Sequence, residues 1–287
     1  MKPTSRNALP IVSIGMPVYN GENYISLALD SLLSQSFVNF EIIISDNASE
    51  DKTVEIIKDY AARDSRIKYV LQEKNIGAPA NYKFVLDKAI GEFFMWAAHD
   101  DAWDTNWIEV LINEIQDDDI GVRGSIRFLC DDRIEIRHLH DYKKGAQLSC
   151  FFGNENNYRC HYVYSIFRRS LLSACDFSAL TKDYSPDNLF IFSLLRYGNF
   201  RSTINTSMTF RIHRGNLGSQ YSKKWAGIRK IIYRIYPLRY YIYHINYIDS
   251  STKIIAFIFL APVKHIYAQI SFWLRGAREL ITGKRYI

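Results

Sequence analysis

Four short polar segments occur in the first 101 residues, and each follows an apolar run. They are Pro17-Val18-Tyr19-Asn20, Asp46-Asn47, Asn75-Ile76-Gly77 and His99-Asp100-Asp101. An aromatic ring and a lone carboxylate can bind a base and a sugar. A carboxylate pair can bind Mg²⁺ or Mn²⁺ carried by phosphates, because hard cations prefer oxygen ligands. These residue types indicate a site for a phosphorylated nucleoside.

Two common phosphate-binding loops are missing from the sequence. It contains neither G-x-x-x-x-G-K-[ST] nor G-x-G-x-x-G, which excludes an ATPase loop and a dinucleotide fingerprint. We therefore expect the metal ion to provide the grip on the phosphates.

The elements that must position these segments alternate between strands and helices. Apolar runs predict strands at 11–17, 40–45, 67–72 and 93–98, and helical spacing predicts helices at 24–35, 51–62 and 80–90. Ser49 is the expected cap of the second helix. This alternation predicts an α/β fold with a largely parallel sheet, in which ligands bind beyond the carboxyl ends of the strands.

Composition excludes several classes of protein. With 287 residues, 48% of them apolar and 23% charged, the chain is neither disordered nor a disulfide-stapled miniprotein. Its four cysteines form no C-x-x-C pair, which favours reduced thiols in the cytoplasm. Residues 1–10 contain no apolar signal segment, so we expect no export.

Two segments resemble the inverting family 2 glycosyltransferases. They are IVSIGMPVYNGENYISLALDSLLSQSFVNFEIIISDNASEDKT and FFMWAAHDD, within a likeness that covers roughly residues 10–220. The resemblance implies a glycosyltransferase A-type fold, with a Rossmann-like, mostly parallel sheet flanked by helices. It also implies a catalytic domain at 1–222, divided into a nucleotide-binding half at 1–102 and an acceptor-binding half at 103–222.

The same resemblance assigns the donor site. Pro17 and Tyr19 would line the base pocket, Asp46 would accept from the base or ribose, and Asp100 would reach the metal or the diphosphate, with Asp101 as a second metal ligand. The other predicted donor-binding residues are Val18, Asn20, Asn75, Lys83 and His99. The sequence departs from the family at Ala98, where an acidic residue is usual, and at Tyr82-Lys83, where Arg-Asn is common.

An inverting transfer needs one carboxylate to accept the proton of the attacking hydroxyl. By resemblance this is Asp187, eleven residues before Gly198, with Asp183 as the fallback. Pro186 stands where the family usually has Glu. An Arg-x-His segment that includes His213 resembles one that approaches the diphosphate.

Structural roles remain open for these residues. Asp46 could cap a turn, Asp100 and Asp101 could cap the helix expected near 106–115, and Asp187 could simply begin a helix. His99 could be a packing residue and Lys83 a solvated charge.

The last 65 residues are basic and aromatic. From 223 to 287 there are 12 Lys or Arg against two acidic residues, and the uncharged run at 254–263 is too short to cross a bilayer. These features predict a helical extension that lies on an anionic membrane surface. A helical subdomain with a basic face is the alternative, and no motif supports nucleic-acid binding.

We therefore predict a metal-dependent glycosyltransferase that uses Mg²⁺ or Mn²⁺ and acts at the inner face of the cell membrane. It would transfer a sugar from a UDP- or dTDP-sugar to a glycan or lipid-linked acceptor in surface polysaccharide biosynthesis. Two alternatives are a catalytically silent sugar-nucleotide-binding module and a basic peripheral membrane scaffold.

Overall fold

A computed structural model describes residues 9–130, 133–152, 159–181, 186–213, 242, 244–248, 250–251 and 253–263. Contacts divide the chain into two compact units. The first comprises Met1–Gly145 and Glu155–His213, and the second comprises Ala146–Asn154 and Arg214–Ile287. The predicted domain boundary at 222/223 lies outside the described residues.

The first unit begins with three successive β-α-β steps. Its elements are β1 (Val12–Val18), α1 (Ile25–Leu33), β2 (Phe40–Asp46), α2 (Thr53–Arg63), β3 (Ile67–Leu71), α3 (Ala78–Asp87) and β4 (Phe93–Trp96). Strand β1 lies between β2 and β4, and β2 also pairs with β3. All three pairings are parallel. The expectation of a parallel α/β sheet from the alternating pattern is confirmed.

The rest of the first unit extends the same sheet with mixed strand directions. Its elements are β5 (Ala102–Trp103), α4 (Trp107–Glu114), β6 (Asp119–Cys130), β7 (Arg133–Arg137), a 3₁₀ helix (Arg159–Tyr164), β8 (Ile166–Arg168), α6 (Arg169–Ser173), a second 3₁₀ helix (Phe177–Thr181), α7 (Pro186–Leu194) and β9 (Asn199–Ile212). The strand order is β3-β2-β1-β4-β8-β6-β9-β5, with β7 paired to β6. Strand β8 joins β4 and β6 in antiparallel fashion, and β6 and β9 run parallel.

The core lies where helices cover the parallel strands. Every residue of β1 and β2 is buried, and α1 presents its apolar stripe of Ile25, Ala28, Leu29 and Leu32 to the interior. Gly15 in β1 lets Phe94 and Val85 approach closely, because a Cβ there would lie 2.7 Å from each side chain. The parallel half is therefore a closely packed support for the loops at its carboxyl edge.

One helix start differs from the sequence prediction. Helix α2 begins at Thr53 with Lys52 at its N-cap, so the assignment of Ser49 as the cap was wrong. The Ser49 side chain instead accepts a hydrogen bond from the Asn20 N–H at 2.8 Å. The Asp51 carboxylate accepts from the Thr53 N–H at 3.0 Å and satisfies the first turn of the helix.

The second unit contains α5 (Gln147–Phe152) and a helix at 253–263. Phe151 packs against Phe257, with ring centroids 4.6 Å apart, and against His244 at 5.0 Å. The helix exposes apolar side chains as well, with Phe259 74% and Val263 62% accessible. No helix among the described residues is both long enough and apolar enough to cross a membrane.

Candidate active site

The carboxyl ends of β1 and β2 lie side by side. Pro17 pairs with Ser45 and Val18 pairs with Asp46 in the parallel register, and the chain then continues to the partly exposed Tyr19. The Asp46 carboxylate is 1% exposed. Its Oδ2 accepts the Ser49 N–H at 3.0 Å, while Oδ1 has no hydrogen-bond partner among the described residues. Asp46 therefore caps a turn and also keeps one buried oxygen for a ligand that donates.

Asn20 joins the two loops that follow these strands. It has φ of +52°, a backbone conformation that Asn adopts more readily than most residues. Its N–H donates to Ser49, and its Oδ1 accepts from the Glu50 N–H at 2.9 Å. The predicted binding residue Asn20 thus holds the two loops together.

Asn75 has a similar place at the third loop. Its Oδ1 accepts from Asn47 Nδ2 at 3.0 Å and from the Gly77 N–H at 2.9 Å. Asn47 in turn accepts from the Ile76 N–H at 2.8 Å. These bonds fix the entry to α3, so Asn75 orders the rim of the site.

Asn81 on α3 was not found by sequence reasoning. Its side chain is 2% exposed, and its Nδ2 donates to the Ser45 carbonyl at 2.9 Å. Its Oδ1 has no partner within the described part of the chain. Asn81 therefore presents a second buried acceptor beside the end of β2. The only sequence signal for this role is its position one helical turn after Gly77.

The turn after β4 meets the end of β9. His213 Nε2 lies 2.9 Å from Asp100 Oδ2, and the Arg211 N–H donates to Asp101 Oδ1 at 3.1 Å. Burial, followed by the Asp100 charge, raises the pKa of Asp101 well above its ordinary value. Helix α4 has Asn106 at its N-cap, so Asp100 and Asp101 do not cap it.

Tyr24, just before α1, strengthens this junction. Its ring lies 4.7 Å from the His213 ring, and the Arg211 guanidinium lies 5.2 Å from the Tyr24 centroid. Contact between a guanidinium and an aromatic face is favourable. Sequence reasoning did not find Tyr24, because nothing in its local pattern shows that a residue 189 positions later would reach it.

His99 packs against Gly21. A Cβ at Gly21 would lie 2.7 Å from the His99 ring, so the ring fills the space that the glycine leaves. Burial is the main cause that lowers the pKa of His99. Its imidazole is therefore neutral at pH 7, as expected for a packing residue.

Asp187 lies in the first turn of α7. Asp187 is exposed to solvent, yet the protein around its carboxylate reduces its hydration and raises its pKa to about 6. The carboxylate is therefore largely ionised at pH 7 and remains a stronger base than an ordinary aspartate.

Trp96, at the end of β4, links α3 to the helix that carries Asp187. Its indole N–H donates to the Tyr82 carbonyl at 3.0 Å, and its ring contacts Phe190 of α7 with centroids 6.0 Å apart. Burial raises the pKa of Tyr82, and the charges of Asp187 and Asp100 raise it further.

The Lys83 side chain pairs with Asp87 on its own helix. Its Nζ lies 2.6 Å and 2.7 Å from the two carboxylate oxygens of Asp87, one helical turn away, and 5.7 Å from the centroid of Phe177. The structure therefore gives Lys83 two protein partners at the junction of α3 and the second 3₁₀ helix.

Comparison with known proteins gives the family. The sequence model described as Glycosyl transferase family 2 matches residues 13–175, more than half of the chain. The chain belongs to glycosyl transferase family 2. The resemblance carried by the β1–β2 segment and the β4 segment is thereby confirmed.

Curated relatives are also glycosyltransferases by name. An uncharacterized glycosyltransferase of Haemophilus influenzae is 32% identical over 148 residues, which cover 51% of this chain and 59% of the relative. The putative glycosyltransferase EpsH of Bacillus subtilis is 28% identical over 226 residues, covering 75% and 64%. The chain therefore spans less than two thirds of the length of these relatives.

Solved structures confirm the glycosyltransferase A-type fold. S. aureus TarS 1–349 in complex with UDP has a TM-score of 0.59 at 17% identity, covering 96% of this chain and 93% of that 1–349 chain. The mannosyltransferase PcManGT of Pyrobaculum calidifontis, solved with GDP-Man and Mn²⁺, has a TM-score of 0.57 at 14% identity, covering 97% and 77%. Asp187 and His213 lie beyond the family match, so their assignment depends on geometry.

Proposed function

We propose that the protein transfers a sugar from a UDP- or dTDP-sugar, with inversion, to a hydroxyl of a glycan or lipid-linked acceptor in surface polysaccharide biosynthesis. The main support is that Trp96, four residues before Asp100, packs against Phe190, three residues after Asp187, with ring centroids 6.0 Å apart. The residue suited to the diphosphate side and the residue suited to proton removal therefore lie on neighbouring elements. In this proposal the donor sugar and the acceptor hydroxyl lie between them.

In this proposal Asp187 is the general base. It takes the proton of the acceptor hydroxyl, whose oxygen attacks the anomeric carbon. The bond from that carbon to the diphosphate oxygen breaks, and its electron pair leaves with the nucleoside diphosphate. A base with a pKa of about 6 suits this task near neutral pH, because it is ionised yet still accepts a proton.

The donor nucleotide would lie at the edge formed by β1 and β2. Pro17, Val18 and Tyr19 provide the wall, and Asp46 Oδ1 provides a buried acceptor for the base or ribose. TarS was solved with UDP and with UDP-GlcNAc, which supports a nucleotide-sugar donor for the shared fold.

Asp100 and His213 are the residues that would hold the divalent ion. Carboxylate and imidazole are both accepted by Mn²⁺, and their donor atoms converge to 2.9 Å. Asp101 is less suitable, because burial favours its protonated form. Among the described residues no group of three His, Cys, Asp or Glu converges, so water and phosphate would complete the coordination. When bound, the ion supplies positive charge that stabilises the departing diphosphate.

Donor binding and donor hydrolysis test this function. UDP and UDP-sugars, or their dTDP counterparts, should raise the melting temperature, and more so with Mn²⁺. UDP release should fall by about 10²- to 10⁴-fold in Asp187→Asn, while donor binding persists. Donor binding without turnover in the wild-type protein would favour the silent binding module instead.

We also propose that the second unit holds the protein at an anionic membrane surface. The exposed apolar side chains of helix 253–263 and the net charge of +10 over 223–287 support this role. Phe259→Ser should weaken co-sedimentation with phosphatidylglycerol vesicles by about tenfold, given the apolar area lost. Ile204→Ser, which removes an equally exposed side chain from β9, is the matched control. Equal effects of the two substitutions would contradict the proposal.

A further inference from the structure

The loop between β1 and α1 contacts the turn that carries Asp100. Its Gly21 N–H donates to Thr53 Oγ1 at 2.7 Å, and the Gly21 carbonyl accepts from the Tyr24 N–H at 3.1 Å. The His99 ring fills the space beside Gly21. The backbone at Tyr24 is therefore fixed against both the start of α2 and the turn after β4.

Two side chains at the end of β9 pack on the half-buried Tyr24 ring. The His213 ring lies 4.7 Å from it, with 43° between the ring planes, and the Arg211 guanidinium lies 5.2 Å from the Tyr24 centroid. The ring makes both contacts and the hydroxyl makes neither. An aromatic face at this position therefore meets the end of β9 from a fixed place on the β1–α1 loop.

The same two residues of β9 are bonded to the carboxylates after β4. His213 Nε2 lies 2.9 Å from Asp100 Oδ2, and the Arg211 N–H donates to Asp101 Oδ1 at 3.1 Å. The contact with Asp100 fixes one atom of the imidazole, but the ring can still rotate about that atom. The Tyr24 ring lies against the imidazole and restricts this rotation. Residues that hold a metal ion are commonly oriented by neighbours that do not touch the ion.

We propose that Tyr24 is a positioning residue that orients His213 for the divalent ion held with Asp100. The inference rests on the proposed function, because it needs that ion beside the donor diphosphate. In this role Tyr24 acts through the His213 ring and need not touch the ion or the nucleotide. A donor atom that is already oriented loses less conformational freedom on binding, so the ion is held more tightly. If the ring only filled space before α1, its loss would affect stability alone.

Titrations of Mn²⁺ followed by electron paramagnetic resonance, with UDP or dTDP present, measure this role without turnover. Tyr24→Leu removes the aromatic face and should weaken Mn²⁺ binding by about three- to tenfold, the usual contribution of aromatic and guanidinium contacts of this kind. Tyr24→Phe keeps the ring and should stay within about twofold of the wild type. The nucleotide alone, in EDTA, should bind both variants as it binds the wild type, because its proposed base and ribose contacts come from β1 and β2.

A double variant separates positioning from general packing. If Tyr24 acts through His213, Tyr24→Leu should have little effect once His213 is replaced. The double variant should then bind Mn²⁺ about as weakly as His213→Gln alone. A ring that only supports the fold would weaken binding by the same factor in both backgrounds. Thermal melting verifies that each variant is folded.

Tyr60→Leu is the matched control. Tyr60 is also half-buried and has a guanidinium, that of Arg63, 4.5 Å from its ring centroid. It lies on α2, however, and its hydroxyl donates to Asp30 of α1 at 2.7 Å. The same substitution there should leave Mn²⁺ binding unchanged.

Three results would overturn the inference. They are unchanged Mn²⁺ binding in Tyr24→Leu, equal weakening in Tyr24→Phe or Tyr60→Leu, and effects of Tyr24→Leu and His213→Gln that multiply. If His213→Gln still weakens Mn²⁺ binding in those cases, the metal site of the proposed function stands. If His213→Gln binds Mn²⁺ like the wild type, or the wild type binds no Mn²⁺ with either nucleotide, that metal site fails together with the inference.

Discussion

Asp187 should make the rate of donor hydrolysis depend on pH between 5 and 7. With a pKa raised to about 6 by burial, the carboxylate is about 90% ionised at pH 7 and about 10% at pH 5. Only the ionised form accepts a proton, so kcat/KM should fall about ninefold between these values. An aspartate with the ordinary pKa of 3.8 would remain more than about 90% ionised at pH 5, and the rate would scarcely change.

The assay is release of UDP from the donor that binds best, measured below and above its KM from pH 4.5 to 8.5. Asp187→Asn should lower the rate by about 10²- to 10⁴-fold and abolish the transition near pH 6. Asp183→Asn, the fallback base, should retain both the rate and the transition.

Metal binding could also depend on pH, because ligands must be deprotonated. The profile should therefore be repeated at several Mn²⁺ concentrations. A midpoint that moves with Mn²⁺ belongs to the metal site and not to Asp187. A flat profile from pH 5 to 8, or an inactive Asp183→Asn beside an active Asp187→Asn, would refute the assignment of the base.

Three further predictions concern stability and metal binding. The folded protein raises the pKa of Asp187, so the ionised carboxylate destabilises the fold above about pH 6. Asp187→Asn should accordingly raise the melting temperature at pH 7.5, and this advantage should shrink towards pH 4; a constant advantage would contradict the reasoning. Asp100→Asn and His213→Gln should each weaken Mn²⁺ binding in the presence of UDP by at least about tenfold in an electron paramagnetic resonance titration, with UDP binding in EDTA unchanged. Gly198→Ala should lower the free energy of unfolding in urea by about 1–3 kcal/mol, because its Cβ would lie 2.7 Å from the Ile120 backbone nitrogen.

The parallel half of the fold is predictable because its signals are local. Strand β2 was expected at 40–45 and is Phe40–Asp46, and helix α1 was expected at 24–35 and is Ile25–Leu33. Each apolar run is short enough for a strand or periodic enough for a helix. The wrong assignment of Ser49 as a helix cap also came from a local signal. Ser is a good capping residue, but here its side chain accepts a hydrogen bond from Asn20, 29 residues earlier in the chain.

The second half could not be predicted in this way. Strand β8 has only three residues, and β6 pairs in parallel with β9, about 80 residues later, with two shifts of register. Neither feature has a periodic signature. Strand β7 pairs with the last five residues of β6 in antiparallel fashion.

The site residues also differ in how far the sequence reveals them. Residues that follow a strand, such as Asp46 and Asp100, can be selected from the sequence, because parallel strands place their carboxyl ends at one edge. Their partners cannot be selected, since His213 meets Asp100 across 113 positions. This long-range contact exists because β5, which follows the Asp100 turn, pairs with β9 in antiparallel fashion.

The departures from the family pattern make sense in this geometry. Ala98 provides no carboxylate, but His213 brings a donor atom to Asp100 from the end of β9. Tyr82 stands at a position where Arg is common in the family, and its ring packs against Trp96 with centroids 6.0 Å apart.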